Sequence, residues 1–503
     1  MSGAIIQRGD VTAPVEDAAD VVIVGTGAAG ATAARVLTAA GLDVILVEEG
    51  PRVPTTALRP DVWSGFSTIW RDMGAQTARG RSFIPVLQGV CVGGTTAING
   101  AIIHRTPEPI LAEWRREHGA TLDPSDLGRI WDTLETELSI APTPEDALGR
   151  NNTLMRAGAE ALGIRGNVIQ RNVDGCRASS RCLQGCPTDR RQSMNVTYIP
   201  RAVAAGARVY ATCRAERVTT RGGRAAGVEA RFRDPITGTT GPTARLHARR
   251  AVIVAASAIQ TPLLLAKSGV GGRSGQLGRR LQAHPGTAVV GVFDEPVRIW
   301  EGATQGWESL QFWDERMKFE SVALPLELGA VRLPGIGAPL MRDLARYGHV
   351  AQWGVQVRAR AHGRVRRSLL GTSITYDLTN DDVRTLKTGV VRLTEMAFAA
   401  GAREVLPGVA GLPERISSPD AIRRITDLPD DPRLFHCIAA HLFGTAVMGP
   451  DPATSVVSPD GQVHDLPGLW VADSSPFPTN LGVNPQHTIC AFAWTVAERV
   501  AAG

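Results

Sequence analysis

The sequence predicts an α/β protein in which a parallel-sheet domain is interleaved with an α+β domain built on an antiparallel sheet. Three observations predict it. A strand, a glycine-rich loop, a helix and a second strand follow one another over residues 20–49. Runs resembling fully buried strands recur in mid-chain at residues 251–256 and near the end at 468–473. Between them, from about residue 287 to 401, the chain is strand-rich and carries several Trp. A chain of 503 residues also exceeds what one hydrophobic core usually serves.

The first unit can be read residue by residue. Val21-Val22-Ile23-Val24 is β-branched, as expected of a strand buried on both faces. Gly25-Thr26-Gly27-Ala28-Ala29-Gly30 follows at once. Residues 31–40 are Ala-rich and stop at Gly41, a helix with a glycine C-cap. A second strand, residues 43–47, runs into Glu48. This is the Rossmann-like dinucleotide fingerprint in its required context. Gly25 permits the tight turn, Gly27 lets backbone approach a pyrophosphate, and Gly30 lets helix and strand pack closely. The helix N-terminus offers free N–H groups to phosphates. Glu48 is placed to accept from ribose hydroxyls, and its charge disfavours a 2′-phosphate.

Residues 89–107 form a second glycine-rich loop, GVCVGGTTAINGAIIHRTP, suited to a long cofactor needing backbone contacts along its length. Residues 209–255 alternate like strands, with turn signals at Gly222-Gly223 and at residues 235–238. Ser257 to Pro262 opens an apolar helix. Residues 287–401 read as a separate antiparallel sheet forming a substrate domain. The tail adds a final buried strand ending at Asp473, and Leu481-Gly482-Val483-Asn484-Pro485 opens a last helix over 488–500.

Composition excludes several classes. The chain is 43% apolar and 20% charged, which is that of a folded protein and not a disordered one. No run approaches the ~18 uncharged apolar residues of a membrane span. The net charge is +5, but the basic residues are 51 Arg and only three Lys, scattered through every segment, so nucleic-acid binding is not expected. Residues 1–20 lack the pattern of a signal peptide, and seven Cys in 503 residues fit a reducing, cytoplasmic setting.

Taken together the motifs resemble the glucose–methanol–choline (GMC) family of flavoprotein oxidoreductases, over essentially the whole chain. Four ordered matches carry the resemblance. They are the fingerprint ending in Glu48-Glu49-Gly50, the loop Gly93-Gly94-Thr95-Thr96-Ala97-Ile98-Asn99-Gly100, the segment from Ala255 to Leu265, and the tail His441-Leu442-Phe443-Gly444-Thr445 with Asp473 and Gly482-Val483-Asn484-Pro485. The resemblance implies FAD, contacted at Gly25, Thr26, Gly27, Ala29, Gly30, Glu48, Glu49, Gly93, Gly94, Thr95, Asn99, Gly100, Ala256, Asp473, Asn484 and Pro485. It implies a discontinuous FAD-binding domain of residues 15–110, 195–290 and 462–503, and a substrate domain of 111–194 and 291–461. The sequence departs from the family at Ala446-Val447-Met448-Gly449, where Cys-Arg-Met-Gly is usual. Some members attach the flavin covalently through a His where this chain has Ile98, so non-covalent FAD is expected.

The family's active-site pair falls on His441 and Asn484, the His/Asn version, similar to cholesterol oxidases and long-chain alcohol oxidases. The chemistry agrees with those residue types. Oxidising an alcohol moves a hydride from the carbinol carbon to flavin N5 and removes the hydroxyl proton, for which His is a natural base. A neutral amide can hold the oxygen without competing for the proton. Electrons would pass to O2 or to an external acceptor. An inactive FAD-binding scaffold is the non-enzyme alternative, and the intact pair argues against it. Of the other histidines, His284 is expected to be structural, and His487 to point elsewhere.

Cys176, Cys182 and Cys186 lie within eleven residues as C-x5-C-x3-C-P. Three readings stay open: an iron–sulfur cluster, zinc with a remote fourth ligand, or a turn with free thiols or a disulfide. The spacing is similar to that of the catalytic subunit of bacterial FAD-dependent glucose dehydrogenases, where three Cys hold a 3Fe-4S cluster. That would make the protein a sugar or glycoside dehydrogenase passing electrons to an acceptor protein or quinone. Cys91, Cys213, Cys437 and Cys490 read as buried apolar residues. For the substrate, the Trp-rich domain leans toward a hydrophobic, aromatic or sterol-like alcohol, although a sugar would also use Trp. Trp300, Trp307, Trp313 and Trp353 are candidates to line the cavity, with core packing favoured for each.

Overall fold

A computed structural model describes residues 3–369 and 371–503. The glycine-rich N-terminal unit folds as its sequence dictates. The strand Val15–Val24 pairs in parallel with Val44–Val47, Val21 opposite Val44, and the helix Ala28–Ala39 crosses between them. These strands sit inside an eight-stranded sheet. Its order is Ala4–Ile6, Arg208–Tyr210, Val44–Val47, Val15–Val24, Thr240–Val254, Arg224–Arg233 and Cys213–Arg221, with Leu469–Val471 also on Thr240–Val254.

The 15-residue strand Thr240–Val254 joins distant parts of the chain. On one side it runs parallel to Val15–Val24. On the other, its first half pairs antiparallel with Arg224–Arg233 and its last three residues pair parallel with Leu469–Val471. The predicted turn at Gly222-Gly223 closes a hairpin between Cys213–Arg221 and Arg224–Arg233. Both glycines have positive φ, +59° and +74°, as a tight primed turn requires. The sheet is therefore mixed, parallel where it meets the two helices Ala28–Ala39 and Gln486–Ala502, which pack on one another.

A second sheet of seven strands is antiparallel throughout. Its central strand, Gln282–Val292, is flanked by Val350–Val357 on one side and by Ile438–Phe443 and Glu404–Leu406 on the other. Met317–Ser321 and Trp307–Ser309 extend it. Alternation sorts the residues of Val350–Val357: Ala351, Trp353, Val355 and Val357 enter the core under the helix Asn380–Ala399, whereas Gln352, Gly354 and Gln356 face a cavity. That 20-residue helix lies in the stretch read as strand-rich, which is a correction to the sequence reading. Its start is fixed by a capping box of Thr379 and Asp382. Each sheet has its own large hydrophobic core.

Among the described residues no helix is long and apolar enough to cross a membrane. Trp307 and Trp353 are core residues, 2% and 1% exposed, and none of the four candidate Trp lines the cavity, whereas Trp70 does.

Candidate active site

A cavity of about 1460 Å³ lies between the two sheets. One wall is built from the glycine-rich loops. Gly25 has φ +104°, and a Cβ there would come within 2.4 Å of the Ala255 carbonyl oxygen. A Cβ on Gly94, φ +54°, would meet Gly27 Cα at 2.9 Å, so the two loops abut and only glycine fits between them. Two helices, Ala28–Ala39 and Gln486–Ala502, begin at this wall with no side-chain cap, leaving their first N–H groups for a ligand.

Most of the expected contact residues line the cavity: Gly25, Thr26, Gly27, Ala29, Glu48, Glu49, Gly94, Thr95, Asn99, Gly100, Ala256, Asp473, Asn484 and Pro485. Gly30 and Gly93 stand behind it. A Cβ on Gly30 would lie 1.9 Å from the Gly25 carbonyl oxygen, the close packing its position implied. Gly93 N–H donates to Thr26 Oγ1 at 3.1 Å and ties one loop to the other. The acids are partly committed to the protein. Glu48 accepts from Thr26 Oγ1 at 2.6 Å and from the Gly50 N–H at 2.9 Å, and burial raises its pKa. Asp473 accepts from the N–H groups of Ser257 and Ser475 and from the Thr261 hydroxyl, so it caps the helix Ser257–Ser268. Glu49 resists the upward pull of burial because Arg71 and Arg214 hold it ionised. Asn99 Nδ2 donates to Gln486 Oε1 at 2.6 Å, bracing the second loop against the last helix.

Across the cavity the structure brings His441 and Asn484 together, with Asn484 Nδ2 3.5 Å from His441 Nε2. His441 comes from the strand Ile438–Phe443, and Asn484 precedes the last helix. Two neighbours not singled out by motif complete the group. His284, expected to be structural, places its Nδ1 3.2 Å from His441 Nδ1, and its Nε2 accepts from the Gly482 N–H at 2.9 Å. Lys318 Nζ donates to Asn484 Oδ1.

Lys318 belongs to a buried charged cluster. Its ammonium lies 2.8 Å from Glu308 and 3.1 Å from Glu320, and the Lys318 and Glu308 side chains have no exposed surface. His104 Nε2 sits 3.0 Å from the same Glu308 oxygen. Burial alone would raise the Glu308 pKa, but Lys318 and His104 hold it down at about 2. Burial would likewise discharge Lys318, and the two glutamates keep it protonated. An ammonium points its three donors tetrahedrally, whereas a guanidinium confines its five to one plane, and in a chain with only three Lys that geometry is used here.

The donors compete over the hydrogens of the two rings. Burial first, then the charge of Lys318 and the neighbouring His104, push His441 down to about 3, and burial with His441 itself pushes His284 well down, so both rings are neutral. Each then holds one hydrogen. The Gly482 N–H favours the tautomer with hydrogen on Nδ1 of His284, which donates to His441. Asn484 Nδ2 favours the one in which His441 Nε2 is the acceptor. The two cannot both be met, because hydrogens would collide between the rings. Lys318 holds Asn484 Oδ1 and so turns the amide N–H toward His441 Nε2.

The cysteine segment does not fit a metal cluster. Among the described residues no group of three or more His, Cys, Asp or Glu is placed to hold a metal ion. Instead Arg171 inserts its guanidinium, 3.2 Å from Cys182 Sγ and 3.8 Å from Cys176 Sγ, while Cys186 Sγ lies 3.6 Å from Thr188 Oγ1. Burial raises the Cys182 pKa, but Arg171 and Arg191 outweigh it and leave it lowered. Of the three readings left open for Cys176, Cys182 and Cys186, the described residues present free thiols, two of them beside Arg171. His487 points away from the cavity, 3.3 Å from Glu135 and stacked on Trp131.

Comparison with known proteins bears on this arrangement. The N-terminal GMC oxidoreductase model matches residues 19–286 and the C-terminal one residues 359–493. The chain is a GMC oxidoreductase. It is 38% identical over 493 residues to an uncharacterised GMC-type oxidoreductase of Mycobacterium tuberculosis, covering 96% of this chain and 76% of that one. It is 26% identical over 524 residues to a long-chain-alcohol oxidase of Arabidopsis thaliana, covering 96% of this chain and 66% of that one. A formate oxidase of Aspergillus oryzae, solved in work on its FAD modification, superposes with TM-score 0.72 at 16% identity, over 97% of this GMC oxidoreductase and 99% of the oxidase.

Proposed function

We propose that this GMC oxidoreductase oxidises an alcohol to a carbonyl with non-covalently held FAD, His441 acting as base and Asn484 orienting the hydroxyl. The observation that carries the reading is the chain from Lys318 through Asn484 to His441, set at a cavity whose opposite wall presents glycine loops and two uncapped helix N-termini. The relationship to a long-chain-alcohol oxidase supports an alcohol as substrate. Gly25, Gly27 and Gly94 would admit the pyrophosphate, and the acceptor face of Glu48 the ribose. Ile98 offers no nucleophile for a covalent link. When bound, FAD supplies the acceptor for the hydride that leaves the carbinol carbon.

The chain's own residues do the rest. His441 stays neutral in its buried setting and, with its own hydrogen on Nδ1, receives the hydroxyl proton at Nε2. Asn484, held by Lys318, turns its amide N–H toward the same oxygen and fixes the C–H direction. Electrons then leave to O2 or to an external acceptor.

The test is reduction of the FAD-loaded protein, followed by loss of its yellow colour, across a broad alcohol panel. His441→Ala is expected to keep its flavin but lose about 10²–10⁴-fold in reduction rate. Reduction of that variant at the wild-type rate would remove His441 as the base.

A further inference from the structure

A four-stranded sheet stands beside the cavity, in the order Arg364–Ser368, Gly371–Thr375, Thr77–Arg79 and Phe83–Pro85. Alternation sorts its residues between two faces. Ala78, Ile84, Val365 and Ile374 turn inward and join the core of the antiparallel domain. Their neighbours turn outward. Register sets Arg364 opposite Thr375, Thr375 opposite Arg79, and Arg79 opposite Phe83. These four form one row across all the strands, and all four are exposed. Arg366, also exposed, faces out one step further along its strand.

Nothing neutralises this row. The two hairpins, residues 77–85 and 364–377, hold five Arg against one Asp. That Asp377 is taken by Arg81 at 3.1 Å, and among the described residues no carboxylate pairs with Arg79, Arg364 or Arg366. An exposed cationic row with no acid beside it is complementary to an anionic surface.

The tips of the same hairpins are apolar. Leu369 is fully exposed at the turn of one, and Phe83 is 74% exposed beside the turn of the other. Both also line the cavity, as do Val331 and Ile438, 71% and 48% exposed, so these four mark its mouth. Leu324, Leu328 and Phe435 continue the apolar lining inward. The segment that carries Val331 exposes Leu326, Ile336 and Met341 as well. Single apolar side chains scattered over a surface need no account, but here they gather round one opening. They sit on separate elements, which a fluid surface can engage together. Apolar tips with Arg behind them match the boundary of a bilayer, where acyl chains take the tips and headgroup phosphates the guanidinium groups.

We infer that this face docks the protein on an anionic lipid bilayer, Phe83 and Leu369 entering the acyl boundary while Arg79, Arg364 and Arg366 meet the headgroups. The docking stands apart from the proposed alcohol oxidation, and it turns the mouth of the cavity toward the lipid.

The experiment is co-sedimentation of the FAD-loaded protein with vesicles of phosphatidylcholine, alone or mixed with phosphatidylglycerol, at about 0.05 and 0.5 M salt. Binding is expected to the mixed vesicles and should weaken at the higher salt. Arg364→Gln with Arg366→Gln is expected to weaken it by about fivefold per arginine. Phe83→Ser with Leu369→Ser should weaken it by at least about 10-fold. Both double variants should keep the flavin content and melting temperature of the parent, because all four side chains are exposed. No sedimentation with mixed vesicles at either salt overturns the inference. Equal binding to both kinds of vesicle, unmoved by salt, overturns it by removing the headgroup contact. Binding undiminished in both double variants overturns it by placing the contact elsewhere. A concentration-dependent dimer that Leu369→Ser abolishes, without vesicle binding, also overturns it and assigns the face to a second copy of the chain.

Discussion

Replacing Lys318 by Met removes the one group that holds Asn484 by its oxygen, with little change of volume. It also strips the counter-ion from Glu308, which has no exposed surface, and from Glu320. Breaking a buried ion pair from one side costs about 3–5 kcal/mol, a large part of the roughly 5–15 kcal/mol that holds most proteins together. The loss should depend on pH in a known direction. Lys318 and His104 hold Glu308 at about 2; without the ammonium, burial raises that carboxyl, so the variant gains stability as pH falls and the carboxyl takes up a proton. Adding Glu308→Gln should restore part of the stability, since the amide carries no charge. It should not restore the rate, because Asn484 would still be free to turn away from His441 Nε2. A misplacement of this kind costs about 10²-fold. Urea titration at pH 6 and pH 8 reads the stability of both variants, and stopped-flow flavin reduction reads the chemistry. If the double variant recovers rate along with stability, Lys318 serves the fold alone and its role in orienting Asn484 is wrong.

Both rings of the His284–His441 pair are held neutral, far below the ordinary 6.5. The unfolded chain binds protons there first, so folding stability should fall as pH drops below about 6.5, by about 1.4 kcal/mol per pH unit for each ring. His441→Asn should lessen that slope by one ring's worth in urea titrations between pH 7 and 5; an unchanged slope would mean the ring charges readily in the folded protein. Gly30→Ala forces a Cβ against the Gly25 carbonyl, 1.9 Å away, and should cost about 1–3 kcal/mol in urea together with flavin retention. Gly27→Ala, whose Cβ would meet only Gly94 Cα at 3.9 Å, should keep the urea midpoint and lose flavin alone. For the thiol site, the purified protein should contain no stoichiometric iron and show flavin bands only, and Cys182→Ser should leave the spectrum unchanged; iron lost on that substitution would reinstate a cluster.

The nucleotide half of the site was legible because its constraints are local. A glycine that must have positive φ, as Gly25 does, or must touch a strand, as Gly30 does, announces itself by spacing to its neighbours. The hairpin at Gly222-Gly223 was readable for the same reason. The helix Asn380–Ala399 left a signal, Val383, Leu386, Val390 and Leu393 on one face after a capping Thr379, which was masked by the strand-rich stretch before it. The charged cluster left none. Lys318, Glu308 and His104 are scattered over two hundred residues and meet only through sheet register, and no motif marks them. The scarcity of Lys was visible, but not that one of the three sits behind Asn484. Nor could the cysteine spacing show that Arg171, five positions before Cys176, would fold in among the thiols.

The strand Thr240–Val254 has a consequence for synthesis on the ribosome. It is gripped on one side by residues made among the first and on the other by Leu469–Val471, made among the last. At about 5–20 residues per second, roughly 20–80 s separate Val47 from Leu469. Throughout that interval the glycine loops can form, but the helix start at Gln486 and the residue Asn484 that complete the cavity do not yet exist. The emerging chain therefore carries half a cradle with an unpaired strand segment beside it. Cofactor supplied early would have little to hold it, and retention of the flavin would report that translation had run to its end.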